Sequence, residues 1–247
     1  MGVKELLCVG TSDAFGAGGR RQSAYLMRSG RGSVLVDCGQ TTTGGLSALG
    51  VAREEIDAIL VSHFHADHFG GIPLFLLGSV FLDARRHPLW VAGPPGVEAR
   101  VRRAAAALGH PLESQPFRFQ VHFEELSPET VRPVGPVDVR AFETHHTPDS
   151  CPHGLILDEG GHRVVYSGDT GWFEGLPEQA CGADLFLCEC TLDVRGYEYH
   201  LSLEELGERR EAFACHRFLL THLGAEMRAR SHHAGFEVAD DGLLVRF

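Results

Sequence analysis

Between Val61 and Gly71 the chain reads Val-Ser-His-Phe-His-Ala-Asp-His-Phe-Gly-Gly, which places His63, His65, Asp67 and His68 within six residues. The segment before it, Ile56-Asp-Ala-Ile-Leu-Val-Ser62, has the apolar run of a buried strand. The two glycines after it lead into another apolar run. A strand that ends in a tight loop can turn several side chains toward one point. Buried polar groups without partners are costly, so this crowding between apolar flanks needs a charge at its centre. Imidazole nitrogens with a carboxylate oxygen are a donor set for zinc and similar divalent ions. The cluster is therefore expected to hold metal, and the fold must bring further ligands to it.

Further donors of the same kind stand at other strand ends. Val137–Thr144 alternates in the manner of a half-buried strand and stops at His145-His146-Thr147-Pro148. Arg163–Ser167 is followed by Gly168-Asp169-Thr170-Gly171, and Arg217–Thr221 by His222-Leu223-Gly224. Neighbouring residues on a strand face opposite ways, so only one of His145 and His146 is expected to ligate. With His63, His65, Asp67, His68, Asp169 and His222 this makes seven donors, enough for two ions.

This pattern of His-x-His-x-Asp-His, a later His, Gly-Asp-Thr and a final Thr-His closely resembles the metallo-β-lactamase fold of metallohydrolases. Gly10-Thr11-Ser12 after the first strand and Val34-Leu-Val-Asp37-Cys-Gly39 after the second match its opening motifs. The resemblance spans nearly the whole chain and implies one α/β (α+β) domain over residues 1–247. That domain is expected to be an αββα sandwich of two mixed sheets with helices outside. It implies that one ion takes His63, His65 and His146, the other Asp67, His68 and His222, with Asp169 bridging. His146 is preferred to His145 because His-Thr-Pro-Asp-Ser is the family's commoner setting. Zinc suits the imidazoles, and manganese or iron also fit His/Asp donors.

Within this fold the segment Asp184-Leu-Phe-Leu-Cys-Glu189-Cys-Thr191 resembles the Glu-Ala-Thr strand of the ribonuclease Z branch. His200, nine residues after Thr191, stands where that branch has a general acid oriented by the strand Glu. Ser202 beside it is the expected cap of a late helix. The resemblance implies hydrolysis of a phosphodiester by a hydroxide bridging two ions, with Asp67 orienting the attack. His200 would then protonate the leaving oxygen and Glu189 would hold its ring. The alternative is a metallohydrolase of a carbonyl substrate, a lactone, thioester or β-lactam, using the same metals without the proton donor.

The net charge of −11 argues against a large basic surface for nucleic acid. The loop Asp13–Ser23 lacks most of the Pro-x-Lys-x-Arg-Asn pattern of tRNA-processing members, and no counterpart of their tRNA-gripping arm is evident. A small or cyclic phosphodiester, such as a cyclic nucleotide, is favoured over an RNA end. Whether Gly16–Arg21 supplies amides and a cation to a phosphate, or is only a turn, is left open by the sequence. Seven cysteines without a disulfide-like pattern, no secretory signal and no membrane-spanning stretch make a reduced, cytoplasmic protein the expectation. A homodimer is the default assembly, with the apolar Ile72–Phe81 helix as a candidate face. The coarse map also expects strands at Phe117–Phe123 and 217–221, a turn at Thr130–Pro136, and a helix over Leu203–Ala214.

Overall fold

The computed structural model describes residues 4–128 and 130–247. The first half of the chain builds β1 (Glu5–Gly10), β2 (Ala24–Ser29), β3 (Gly32–Val36), helix α1 (Thr42–Ala48) and β4 (Ala58–Leu60). The short α2 (Ala66–Phe69), α3 (Ile72–Phe81), β5 (Leu89–Gly93), α4 (Val97–Ala107) and β6 (Val121–Glu125) follow. The second half contributes β7 (Val131–Val134), β8 (Val137–Glu143), β9 (His153–Glu159), β10 (His162–Tyr166), α5 (Leu176–Gln179) and β11 (Leu185–Glu189). It closes with α6 (Leu203–Glu208), β12 (Arg217–Thr221), α7 (Ala225–Ala229), β13 (Glu237–Val238) and β14 (Leu244–Arg246).

These strands form two seven-stranded sheets, ordered β14-β1-β2-β3-β4-β5-β6 and β13-β12-β11-β10-β9-β8-β7. The period-2 alternation of strands sorts their side chains into three layers. Leu6, Tyr25, Leu60, Val139, Leu187 and Leu219 fill the space between the sheets. Their neighbours Leu7, Leu26 and Ile59 face outward against Leu46, Phe75 and Val101 of the helices on the first sheet. Phe186, Leu220 and Phe218 do the same on the second, packing on Leu176, Leu206 and Met227. The expected αββα sandwich is what the chain adopts. Each large apolar side chain buried in these layers contributes roughly 1.5–3 kcal/mol.

The sheet pairing decides where the polar loops meet. Strands β10, β11 and β12 are mutually parallel, and β8 and β10 both run antiparallel to β9 between them. The C-terminal ends of β8, β10, β11 and β12 therefore lie along one edge, and the loop after β4 reaches the same edge from the other sheet.

Three expected elements differ. Residues 117–120 are not strand; Phe117 and Phe119 pack edge to face at 5.3 Å and join the outer core, so pairing starts only at Val121. Thr130–Pro136 is more than a turn, because Val131–Val134 pairs with β8. Pro133 is tolerated there since β7 is the edge strand and needs no inner ladder bond. The late helix ends at Glu208 and gives way to a 3₁₀ turn at Arg210–Ala212, with Gly207 lowering helix propensity just before the break. Ser202 does cap it: its Oγ accepts from the Glu205 amide at 3.2 Å while the Glu205 carboxylate accepts from the Ser202 amide. Arg85 is buried and donates to the carbonyls of Arg53, Ile56, His87 and Pro88.

Gly168, between β10 and Asp169, has φ +58°, and a Cβ there would stand 2.5 Å from the His153 carbonyl oxygen. A Gly168→Ala change is expected to destabilise the fold by more than about 1 kcal/mol. Urea unfolding checks this, and an unchanged midpoint would show that the turn can relax.

Candidate metal centre and pocket

Each loop delivers its donors for a local reason. Asp67 and His68 ride on the single turn of α2, whose flank His65 is still extended (φ −75°, ψ 147°), so the four donors of the loop splay around one point. His222 follows β12 with a left-handed φ of +55°, and Asp37 follows β3 with +57°. Non-glycine residues held in this region carry strain that the surroundings must sustain. His146 is buried, whereas His145 points outward, its ring 5.4 Å from that of Tyr199.

The donor atoms of His63, His65, His146 and Asp169 lie within 4.8 Å of one another, and so do those of Asp67, His68, Asp169 and His222. All seven residues singled out from the sequence as ligands are thus brought together, with Asp169 common to both groups. The Asp169 Oδ2 atom is 3.7 Å from His63 Nε2, 3.3 Å from His68 Nε2 and 3.5 Å from His222 Nε2.

The protons around these rings explain why the groups suit cations. His68 Nδ1 donates to Asp37 at 2.7 Å and His146 Nδ1 to the Tyr199 carbonyl at 2.9 Å; neither partner can donate back. His63 Nδ1 lies 3.0 Å from Ser62 Oγ, and His222 Nδ1 2.9 Å from Thr191 Oγ1. Those hydroxyls give their own protons to carboxylates, Ser62 to Asp37 at 2.8 Å and Thr191 to Glu189 at 3.0 Å, so they accept from the imidazoles. The other nitrogen of each ring therefore turns a lone pair inward. His63 Nε2 and His146 Nε2 both come within 3.1 Å of His65 Nδ1, a convergence of acceptors that a cation relieves. His68 Nε2 and Asp169 Oδ1 are buried without a hydrogen-bond partner. A divalent ion in each group would satisfy them, and the donor chemistry fits such ions.

The electrostatics agree. Burial keeps His63, His65 and His146 below the usual imidazole range, hence neutral. Burial also opposes charge on His68 and His222, yet Asp169 and Asp67 draw protons onto both. Burial raises Asp169 and Asp67, but His222 and His68 hold the first and His68 and His222 the second well below the ordinary carboxylate range. The protons drawn to this pair of imidazoles occupy the place a dication takes.

Glu189 sits at the end of β11, fully buried. Its Oε1 accepts from the Thr170 amide at 3.0 Å and from His200 Nδ1 at 2.7 Å; its Oε2 accepts from the Thr191 amide and hydroxyl, both at 3.0 Å. With four donors satisfied it is placed to orient rather than to ligate, although its atoms lie near His200 and His222. Burial works against a charged His200, but Glu189 prevails and raises it to about 9. His65, Asp67, Asp169, Thr191, His200 and His222 all line one cavity of about 480 Å³. Thr191, which links Glu189 to both His200 and His222, was not singled out from the sequence, nor were Ser62, Tyr166 or Tyr199. Tyr166, kept protonated by burial beside Asp37, donates to Asp37 at 2.9 Å from the far sheet.

Gly16–Arg21 does not offer the cation the sequence left open. Arg20 pairs with Asp240, and Arg21 binds the Val9 carbonyl and Asp241. Cys188 and Cys190 are buried free thiols, raised by that burial, and belong to neither donor group. No helix among the described residues is long and apolar enough to cross a membrane.

Sheet order, loop placement and donor set define a metallo-β-lactamase-fold protein of the ribonuclease Z-like branch. Residues 4–239 match the family model of the Anti-Pycsar protein Apyc1, and the chain belongs to that family. It is 31% identical over 234 residues to the Anti-Pycsar protein Apyc1 of Bacillus phage 010DV004, covering 90% of each chain. It is also 30% identical over 241 residues to a ribonuclease Z of Mycobacterium sp. (strain KMS), covering 88% of this chain and 83% of that one. The crystal structure of the metallo-β-lactamase fold protein YhfI from Bacillus subtilis superposes with a TM-score of 0.80 at 23% identity, over the full length of both.

Because Asp169 belongs to both donor groups, Asp169→Ala is expected to lower metal content at both if each holds an ion, while His65→Ala lowers it at one. Metal analysis by mass spectrometry after gel filtration distinguishes them, and a retained pair in Asp169→Ala would remove its bridging place. Thr191→Val, which leaves His222 Nδ1 without its acceptor, should weaken one ion about 10- to 100-fold, with Thr191→Ser near wild type in a chelator titration.

Proposed function

We propose that the chain is a dinuclear-metal phosphodiesterase acting on a small or cyclic phosphodiester. The observation that carries this reading is the His200–Glu189 pair, 2.7 Å apart, with His200 on the wall of the cavity that members of both donor groups also line. A thiolate leaves a carbonyl carbon without a proton, whereas an alkoxide leaving phosphorus needs one, and a charged imidazole there supplies it. Two divalent ions, zinc in the first place, would supply charge neutralisation for a phosphoryl group and a water acidified toward neutral pH. His63, His65 and His146 would hold one, Asp67, His68 and His222 the other, and Asp169 both.

The chain's own residues then divide the work. Asp67 orients the attacking water. As the new P–O bond forms and the ester P–O bond breaks, His200 passes its proton to the departing oxygen. Glu189 keeps Nδ1 engaged, so the remaining nitrogen of the ring is the one free to face the substrate. Among the described residues the cavity is lined by no Lys or Arg, which fits a single phosphodiester better than a polyanion gripped along its backbone. The relatives named ribonuclease Z act through a fold shared with this chain, and RNA ends remain a substrate to screen. We place the protein in the cytoplasm on its seven unpaired thiols. We infer a homodimer that covers Leu74, Phe81 and Leu82, exposed on and beside α3; sedimentation as a monomer would refute that assembly.

The test is turnover of bis(p-nitrophenyl) phosphate by zinc- and manganese-loaded protein, with Asp169→Ala as blank. His200→Ala is expected to keep both ions and lose about 10²- to 10⁴-fold in kcat. Loss of metal in that variant would make His200 structural. Two bound ions with turnover of esters and none of phosphodiesters would select the carbonyl reading instead.

A further inference from the structure

Phe15 is 94% exposed, more than any other large apolar side chain described. Exposure on a mobile tip would mean little, but this loop is braced. Asp13 Oδ1 accepts from the Ser12 hydroxyl at 2.9 Å and from the amides of Phe15 and Ala17 at 3.1 and 3.0 Å. Gln22 Nε2 donates to the Ala14 carbonyl at 2.9 Å. Gly16, Gly18 and Gly19 take left-handed φ values that fold the loop back on itself. The arginines that follow are bound to Asp240 and Asp241 at the other end of the chain. The backbone thus fixes an aromatic ring in water at a place where the sequence left open a phosphate-binding cation or a plain turn.

That place is the lip of the catalytic cavity. Phe15 lines it together with Leu192, Tyr197 and the metal-side residues His65, Asp169 and His200. Tyr197, half exposed, stands edge to face with Tyr199 at 5.5 Å and 5.8 Å from the His200 ring. The cavity therefore has one chelating, charged wall and one aromatic lip. At about 480 Å³ it exceeds what a bare phosphodiester group fills and lies within the range of small-ligand sites.

We propose that Phe15, with Tyr197, is a specificity element that receives a flat aromatic group carried on the phosphodiester. The inference rests on the phosphodiesterase reading for its substrate and adds the part of the molecule the metals do not touch. A ring stacked on such a lip is held by its face, which any planar heterocycle presents, so selection is for an aromatic group over none rather than for one ring over another.

The experiment compares adenosine 3′,5′-cyclic phosphate with glycerol cyclic phosphate, which lacks a ring, on zinc-loaded wild type, Phe15→Ala and Phe15→Trp. Phe15→Ala should lower kcat/KM for the nucleotide roughly 5- to 150-fold, mainly through KM, and leave glycerol cyclic phosphate within about two-fold. Phe15→Trp should restore most of the loss. Equal losses on both substrates, no loss on either, or a change in oligomeric state in Phe15→Ala would overturn the proposal; the last would make the ring part of a subunit interface. Equilibrium dialysis of a cyclic adenosine phosphorothioate separates the two readings. If wild type turns over neither substrate but binds this probe, with Phe15→Ala weaker by the same factor, the aromatic lip stands and the catalytic reading falls. Undiminished binding by Phe15→Ala overturns the lip.

Discussion

Five imidazoles and two carboxylates share one edge of this sandwich, and the outer protons of four of the rings have defined acceptors. Asp37 is the centre of that arrangement. It receives His68 Nδ1, the Ser62 amide and hydroxyl, and the Tyr166 hydroxyl, at 2.7 to 2.9 Å. Through Ser62 it also sets the proton of His63. One carboxylate, itself held in a left-handed turn, thus ties a ligand loop of the first sheet to a strand of the second. Buried polar networks of this kind are stable only when every member is satisfied, and among the seven donor residues His68 Nε2 and Asp169 Oδ1 are left buried without a hydrogen-bond partner.

Glu189 plays the same part on the opposite side. It binds His200 directly and His222 through the Thr191 hydroxyl, so a proposed proton donor and a proposed metal ligand are oriented by one buried carboxylate. The two systems meet at Asp67 and Asp169, whose carboxylates each lie 3.2 to 3.5 Å from both His68 and His222. That geometry explains how a chain of net charge −11 can present an electrophilic site. The acidic groups at the site are occupied inward by imidazole, hydroxyl and amide donors, so positive charge in the cavity would come from bound cations and from His200.

Much of this was legible in the residues alone. The His63–His68 cluster, the Gly-Asp-Thr at 168–170 and the Thr-His at 221–222 each follow an apolar run, and strand ends are where polar side chains can leave a core. Where the reading missed, a local preference was outweighed. Phe117 and Phe119 have strand-forming character but bury more surface by packing beneath α4 and Arg85. Pro133 suggested a turn, yet an edge strand has no use for its missing amide. Gly207 shortened a helix whose apolar stripe continues to Phe213, which is buried all the same.

The kind and number of donors, and the alternation that builds three apolar layers, are readable in the residue string, since ligand chemistry and strand period are properties of a few neighbouring residues. Tertiary structure alone decided which nitrogen of each ring faces inward. The acceptors that settle it lie far along the chain, Asp37 31 residues from His68 and the Tyr199 carbonyl 53 from His146. It also decided that Arg20 is paired with Asp240, 220 residues away, and that Phe15, not a cation, stands at the mouth of the site. Proton placement and charge pairing depend on distances through space, and a sequence records only distances along the chain.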